Sequence, residues 1–580
     1  MTVNRDLSAC FDRIASILEV QGANAFKVNA NRRVARIIKD LPGDIAAFAG
    51  NKKELTAIDG IGSGSADRIL EYLDSGTISE LEELTAGIPD GLVDLLDVPG
   101  LGPKTVRRLW QEADVTSIDT LRRAIDDGTL ESMPRMGAKT ISNIADSLDF
   151  METAGERLGI GIALPIAEDL MARLYEVTGT RRIAYAGSLR RGRETIGDVD
   201  LLAVTDDPDG LAEAFTTAPE VAKVLAKGGT KCSVRLERGL QVDLRMIAEE
   251  AFGAGLMYFT GSKEHNVALR ERAIKASQRL NEYGLFPDDG ESGTPQSRGI
   301  KPVAAQTEED IYTALKLPVR PPELREQRDD VESEPPPLVE VSSMRAELHA
   351  HTEASDGVMT IRELADEAKS RGFHTIAVTD HSRSSVQANG LSEDRLRAHI
   401  DAVHEVDAAI KGIRVLAGSE VDILSDGRLD YDDELLAMLD IVVASPHVAL
   451  RQSSDKATAR LLAAIRHPLV HIIGHPTGRI INRREGLSPD MAALVEAASE
   501  CDTALEINAN PLRLDLRDTH VRLAVEAGCP VAINTDAHRP EDFDLLRYGV
   551  LTGRRGRLGP KQCINAWTAK RLHAWLARKR

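Results

Sequence analysis

Cysteine is scarce in this chain: five residues in 580, at positions 10, 232, 501, 529 and 563, with no C-x-x-C pair among them. That spacing excludes a cysteine-ligated zinc site and a disulfide framework, and it fits a reducing compartment. Long apolar runs are lacking too, since nothing approaches the roughly 18 uninterrupted apolar residues of a membrane span and the first twenty residues hold no signal-peptide core. A soluble cytoplasmic protein with no membrane partner is expected. An excess of basic charge is also missing: 72 Lys and Arg against 91 Asp and Glu leave a formal charge of −19. A nucleic-acid partner would have to be held by local patches and backbone donors, not by a whole-chain field. At about 100–200 residues per domain, the length implies several domains.

Residues 1–150 carry apolar positions every three or four residues, as in Leu7, Phe11, Ile14, Ile17 and Leu18, which is helical spacing. Three segments repeat there: AIDGIGSGSADRIL (57–70), DVPGLGPKTVRRLW (97–110) and SMPRMGAKTISNI (132–144). Each sets a small-residue turn before a helix, with Gly60, Gly62, Gly100, Gly102 and Gly137 as turn positions. Lys104 follows the second turn, and Arg135 replaces the first glycine of the third. Such glycines let backbone N–H groups at a helix start face a phosphate oxygen. One turn alone reads as an ordinary helix boundary. Three together point to sequence-independent DNA-backbone binding and resemble helix-hairpin-helix motifs. Acids outnumber bases here by 24 to 17, so the surface must be local, with Arg32, Arg33, Arg36, Lys39, Lys52 and Lys53 as candidates.

From about residue 181, short β-rich runs (RRIAYAG, DVDLLAV, KCSVRL, LQVDLRMI) alternate with helical stretches, indicating a mixed α/β domain. Asp198 and Asp200 in GSLRRGRETIGDVDLL are two apart on a strand and so share a face. Adjacent carboxylates repel unless a cation lies between them, and Asp243 in QVDLR offers a third. Three aspartates on neighbouring strands suit two Mg²⁺ ions that activate a 3′-hydroxyl and neutralise a leaving pyrophosphate. A lone D-x-D is usually an unremarkable acid pair; the preceding Gly-Ser turn and the later Asp243 argue against that here.

These residues, with YFTGSKEHNVALR at 258–270, resemble the nucleotidyltransferase palm and nucleotide-binding segment of family X DNA polymerases. The resemblance implies catalytic, metal-holding roles for Asp198, Asp200 and Asp243. It places Gly187, Ser188, Arg191 and Gly197 at the incoming triphosphate, and Tyr258, Phe259 and Gly261 near its sugar. Asn266 would reach the minor-groove edge of the incoming base and Arg270 the template strand. Two positions depart from the family. Arg68 stands where lyase-active relatives carry a Schiff-base lysine, and a guanidinium cannot supply that amine. Gln241 stands where the β-type polymerases have arginine.

A stretch with six prolines and dense charge follows at 317–342, read as a partly extended linker. Beyond it, TIAVTD, RVLAGSEVDI, DIVVASPH, VHIIGHP, ALEINAN and VAINTDA alternate with helical segments, the sign of repeated βα units. His349, His351, Asp356, His381, Glu420, His447, His475, Asp536 and His538 fall at or after the strand ends, where a parallel barrel gathers its site. His374, His404, His467, His471 and His573 read as structural. The nine donors resemble the PHP domain shared by polymerases and histidinol phosphatases. This implies a distorted (β/α)₇ barrel holding three ions, Mn²⁺ or Zn²⁺, and a filled ligand set favours phosphoester hydrolysis over an inert scaffold.

The expected architecture is an all-α helix-hairpin-helix region (1–85 and 86–150), an α/β palm (151–255), a nucleotide-binding subdomain (256–316), the linker, and a PHP barrel (343–580). The expected function is gap filling in base excision repair on gapped or primer-template DNA with dNTPs, by a monomer. A 3′–5′ exonuclease, with abasic-site incision, is assigned to the PHP domain. The alternative is a polymerase fused to a PHP phosphatase or to an inert PHP scaffold.

Overall fold

The structure is a computed structural model. It describes residues 3–579 apart from 40, 42–44, 59, 86–87, 90, 93–94, 96–97, 99–100, 134–135, 138–139, 142–143, 146–147, 149–156 and 327–329. Two compact units divide the chain, Met1–Glu156 and Arg157–Arg580.

The first unit is helical and has two cores. Helices α1 (Val3–Val20), α2 (Ala25–Lys39) and α3 (Ser63–Ser75) enclose Leu7, Phe11, Ile14, Val34, Ile38 and Ile69. Helices α4 (Pro103–Ala113) and α5 (Ile118–Asp126) enclose Leu109 and Leu121 with Leu92, Leu130 and Ile144. The repeat seen in the sequence recurs in the hydrogen bonding. Ile61, Leu101 and Met136 each donate to the carbonyl three residues back, at 3.0, 3.0 and 3.2 Å, and the carbonyls of Gly62, Gly102 and Gly137 accept from the residues three and four ahead. Gly100 and Arg135 lie outside the described residues, as does the Lys104 side chain.

In the second unit, strands β1 (Thr180–Tyr185), β2 (Asp198–Thr205), β3 (Val221–Lys227), β4 (Lys231–Leu236) and β5 (Gln241–Met246) form a sheet of order β1-β2-β5-β4-β3. The β2–β5 pair is parallel and its neighbours are antiparallel. Leu201 and Ala203 of β2 enter one core, whereas Leu202 and Val204 enter another with Phe252, so the strand is apolar on both faces. Asp198 and Asp200 share the parity of Leu202 at the strand's open end. Helices α6 (Phe252–Thr260) and α7 (Lys263–Lys275) follow and pack over Met257, Leu269, Leu285 and Tyr312.

Seven parallel strands in sequence order then form β6 (Ala346–Glu347), β7 (Thr375–Val378), β8 (Arg414–Asp422), β9 (Ile441–Ser445), β10 (Ile472–Ile473), β11 (Ala504–Asn508) and β12 (Val531–Asn534). A parallel bridge between Ala350 and Ala537 joins the first to the last and nearly closes the barrel. Leu348, Ala377, Leu416, Val443, Ile472 and Ala532 form an inner core, which Trp567 and Trp575 from the C-terminal segment complete.

The segment expected as an extended linker is packed over its first ten residues. Leu317 joins the core beneath α6, and Arg320 and Arg325 are fully buried. Arg325 pairs with Glu308 and Glu323 with Arg554, so the charge run finds partners in the fold instead of water.

Three carboxylates tie this unit together: Glu194 to Arg479, Glu308 to Arg190 and Arg325, and Glu326 to Arg191 and Arg555. Burial opposes each charge, but the facing arginines outweigh it and hold all three carboxyls at about 2, against 4.5 for a free side chain. A folded value below the unfolded one stabilises above pH 4.5 and is lost as pH falls through 2, at most about 3 kcal/mol per group. The thermal midpoint is therefore expected to hold near neutrality and to drop steeply between pH about 4.5 and 2. A midpoint unchanged at pH 3 would contradict this.

Candidate active sites

The palm carboxylates come together through strand register. Asp200 faces Asp243 across the parallel β2–β5 ladder, and Asp198 faces Gln241. Burial, then Asp198 and Asp243, push the Asp200 carboxyl up to about 6. Burial also works against Asp243, but hydrogen bonds from Lys231, Ser233 and Gln241 lower it overall. Lys231 Nζ lies 2.7 Å from Asp243 Oδ2, and Gln241 Nε2 donates to Oδ1 at 3.1 Å. The departure at position 241 thus touches the third carboxylate directly. Gly187 sits at φ +62°, and a Cβ there would lie 2.9 Å from Asp200 Oδ2, so only glycine lets this turn close on the carboxylate. The Ser188 hydroxyl is buried without a hydrogen-bond partner.

The two arginines of the turn have different fates. Arg190 forks onto Glu308 at 2.8 and 2.7 Å and is a strut between the palm turn and the helix Glu308–Ala314. Arg191 donates through Nη1 to the Thr260 carbonyl at 2.7 Å and through Nε to Glu326 at 3.0 Å. Gly197 is open except on the side of Arg157, whose Nη1 would lie 2.8 Å from an added Cβ. Tyr258 and Phe259 meet edge to face at 5.2 Å at the end of α6. Asn266 Nδ2 donates to the Tyr258 carbonyl at 2.7 Å, and a Cβ on Gly261 would collide with the Asn266 amide. Arg270 is exposed one helical turn on, its Nε donating to the Asn266 carbonyl at 3.2 Å.

The second site lies at the C-terminal ends of the barrel strands and brings all nine sequence candidates together. Glu420 is central: one or other of its oxygens lies 3.4 Å from His349 Nε2, 3.7 Å from His351 Nε2, 2.9 Å from His381 Nδ1, 3.2 Å from His447 Nε2 and 2.9 Å from His475 Nε2. Asp536 Oδ1 lies 3.0 Å from His351 Nε2, and Asp356 Oδ1 3.4 Å from His538 Nε2. Three overlapping sets fall within ion-binding distance: His351, Asp356, His381 and His538; His349, His351 and Asp536; His381, Glu420 and His447. His475 and Asp536 hold positive φ values of 24° and 56°, strained backbone of the kind kept at functional positions.

The donor chemistry fits divalent cations. His349 Nε2, both His351 nitrogens, Glu420 Oε1 and Asp536 Oδ1 are buried and make no hydrogen bond, a costly state unless a cation serves them. Burial would lower His381, yet Glu420 and Asp356 push it up to about 11, and His447 and His538 reach about 9 beside their own carboxylates, whereas burial and the neighbouring imidazoles push His351 down to about 4.

The supporting residues were not anticipated from the sequence. His349 Nδ1 pairs with Glu506 at 2.8 Å, His447 Nδ1 with Asp422, and His538 Nδ1 with the Asp536 carbonyl at 2.7 Å, each turning the other ring nitrogen inward. A signal existed for two of them. Glu506 interrupts the apolar strand ALEIN, and Asp422 lies two residues after Glu420 on the same strand face.

Family models match four segments of the chain. Residues 2–78 match the helix-hairpin-helix domain, 92–149 the SAM-like helix-hairpin-helix tandem, 255–326 the DNA polymerase beta thumb and 347–509 the PHP domain. The chain is 38% identical over 578 residues, 99% of both chains, to the Bacillus subtilis protein named "DNA polymerase/3'-5' exonuclease PolX". It belongs to the PHP-bearing family X DNA polymerases. Arabidopsis thaliana DNA polymerase lambda is 24% identical over 344 residues, 54% of this chain and 61% of that one. A "Probable phosphatase" of Syntrophotalea carbinolica is 28% identical over 236 residues, 39% of this chain and 93% of that one.

The helix-hairpin-helix turns of this family X polymerase place Gly62 and Gly102 at helix N-caps that carry no side-chain cap, with Pro103, which has no N–H, opening the second helix. Gly60 is at φ +90°, and a Cβ there would meet Ile37 and Arg33. Arg68 is locked by Asn31 at 2.8 Å and Glu80 at 2.6 Å, over the Phe11 ring. Lys27, the nearby amine, is paired with Glu80 at 2.8 Å. Borohydride trapping with a 5′-deoxyribose-phosphate substrate is therefore expected to yield little adduct. Strong trapping abolished by Lys27→Ala would show lyase chemistry relocated to that residue.

Among the described residues, no helix is long and apolar enough to cross a membrane.

Proposed function

We propose that this family X polymerase extends primer 3′ ends across short gaps in duplex DNA from dNTPs, and that its PHP centre removes 3′-terminal nucleotides. The observation that carries the first half is the meeting of Asp198, Asp200 and Asp243 at the start of the parallel β2–β5 pair, closed over by Gly187. Asp198, Asp200 and Asp243 would hold two Mg²⁺ ions, whose charge lowers the cost of forming a 3′-alkoxide and releasing pyrophosphate. The Gly187–Ser188 turn, with its unpartnered hydroxyl, and Arg191 would bind the triphosphate. Asn266 and the Tyr258–Phe259 pair would seat base and sugar, and the Gly60, Gly62, Gly100, Gly102 and Gly137 turns, Lys104 and Arg270 would grip the strands. The domain boundaries given above are proposed with these roles, except that residues 317–326 go with the folded segment before them and not with the linker.

The nine-donor barrel centre supports the second half, together with the printed name of the Bacillus relative. Its mixed imidazole and carboxylate set suits three Mn²⁺ or Zn²⁺ ions, which would polarise a phosphodiester. Glu506 and Asp422 fix the imidazoles that face it. The likeness of this domain alone to a probable phosphatase keeps a small-phosphoester substrate as the second reading. The test is a paired assay on gapped and on 3′-mismatched duplexes, with and without dNTPs. Extension in the first and shortening from the 3′ end in the second are expected; phosphate release from monoesters with intact 3′ ends would favour the second reading.

A further inference from the structure

The turn that joins the nucleotide-binding and metal-binding residues of the palm, from Arg191 to Gly197, is built against the PHP domain. Both lie in the second compact unit. Leu514 and Tyr548 of the PHP domain enter the palm core beside Leu189 and Ile196. At Gly192 an added Cβ would lie 3.2 Å from Leu551, so this backbone rests directly on the PHP helix Leu546–Arg555.

Two arginine clasps close on the turn from that side. Arg555, nearly fully buried, donates through Nη1 to the Arg191 carbonyl at 2.7 Å and to Glu326 Oε1 at 3.1 Å, while its Nε is anchored on Asp518 at 2.9 Å. Glu326 Oε1 also accepts from Arg191 Nε, so one carboxylate oxygen joins the triphosphate arginine to the PHP arginine. The second clasp holds Glu194: Arg479 Nη2 donates to its Oε2 at 2.7 Å, and Arg517 Nη2 to its Oε1 at 3.4 Å. Asn482 adds a bond to the Arg157 carbonyl, next to the strand that pairs with Thr195–Ile196. Asp198 begins two residues beyond that pair.

We propose that Arg555 and Arg479 are positioning residues of the polymerase reaction: through Glu326 and Glu194 the PHP domain fixes the palm turn that carries Arg191 and leads into Asp198. The described hydrogen bonds of the two arginines go to Asp518, Arg191, Glu326, Glu194 and Leu514, none of them in the barrel's metal-binding set, so this role is separate from hydrolysis. It rests on the polymerase reading above. Glu326 neutralises Arg191 in the free enzyme, and Arg555 remains beside that carboxylate when Arg191 turns to a triphosphate. The charge left behind is then still paired, a condition for releasing a buried arginine at low cost.

The test is steady-state single-nucleotide gap filling by the full chain, with Arg555→Lys, Glu194→Gln and, as a control, Arg547→Lys. Arg547 pairs with Glu168 in the same palm–PHP interface without touching the turn. Lysine keeps the charge of Arg555 but, as one compact ammonium, cannot span Asp518 on one side and the Arg191 carbonyl with Glu326 on the other as the guanidinium fork does. The expected result is a KM for dNTP raised about tenfold in Arg555→Lys and in Glu194→Gln, as for loss of a charge-assisted hydrogen bond. The turnover number and the rate of 3′ shortening should stay within about threefold of wild type, and Arg547→Lys should match wild type in all three. An unchanged KM in either soluble turn variant overturns the proposal, as does an equal rise in Arg547→Lys, which would reduce the effect to domain docking. Wild-type protein that fills no gap would instead defeat the polymerase reading, and this inference with it.

Discussion

Substituting Asp200 by asparagine is expected to lower gap filling by about a thousandfold or more while leaving 3′ shortening intact. The side chain keeps its size, so the close approach of Gly187 is preserved and the effect is chemical. Burial first, and then the neighbouring Asp198 and Asp243, push the Asp200 carboxyl up to about 6, so its charge is costly to hold without a cation. Removing one charge relieves that repulsion and stabilises the apo palm while weakening the hold on the ions, so activity and stability should move in opposite directions. Asp198→Ala should be as severe, and in both variants the thermal midpoint should stay at or above wild type. Substantial incorporation by Asp200→Asn at saturating dNTP and Mg²⁺ would remove this carboxylate from the reaction.

The division of the chain into helical repeats, palm and barrel was legible because each part has its own period: three or four residues up to 150, then two, then strand and helix in alternation. The nine barrel candidates stood out as a group because imidazoles and carboxylates at strand ends have few structural uses. What the sequence hid was pairing at a distance. Glu326 stands in LREQRDD, which reads as solvated charge, yet the fold presses it between Arg191 and Arg555. Arg190 and Arg191 look equivalent as neighbours, but they diverge because α6 ends at Thr260 between Glu308 and Glu326, and each arginine takes the carboxylate on its own side. Lys231 gives no local sign that it will reach Asp243, since that contact depends on the antiparallel register of β4 on β5. Periodicity shows which face is buried; only the register shows which charges meet.

Replacing His349 and His351 together by alanine is expected to abolish 3′ shortening, by about a thousandfold or more, with gap filling kept within about twofold. The pair is chosen for its place in the barrel. His351 belongs to two of the three ion-binding sets and His349 to one, so the double change breaks the centre on two sides. Neither residue is on a segment that carries a clasp on the palm turn, whereas His475 stands four residues before Arg479 and would confound the two functions. Loss of the imidazoles also leaves Glu420, Asp536 and Glu506 as a buried group of acids, so the barrel itself should lose stability and bind less metal. Polymerisation then serves as the folding control, because the clasps on the palm turn come from Arg479 and Arg555, on segments that hold neither His349 nor His351. Metal content should fall with the hydrolysis, as read by elemental analysis of the purified protein against wild type. If shortening of 3′ ends survives in a variant that has lost its metal, the hydrolysis belongs elsewhere in the chain; if the metal and the shortening both persist, His349 and His351 are not ligands.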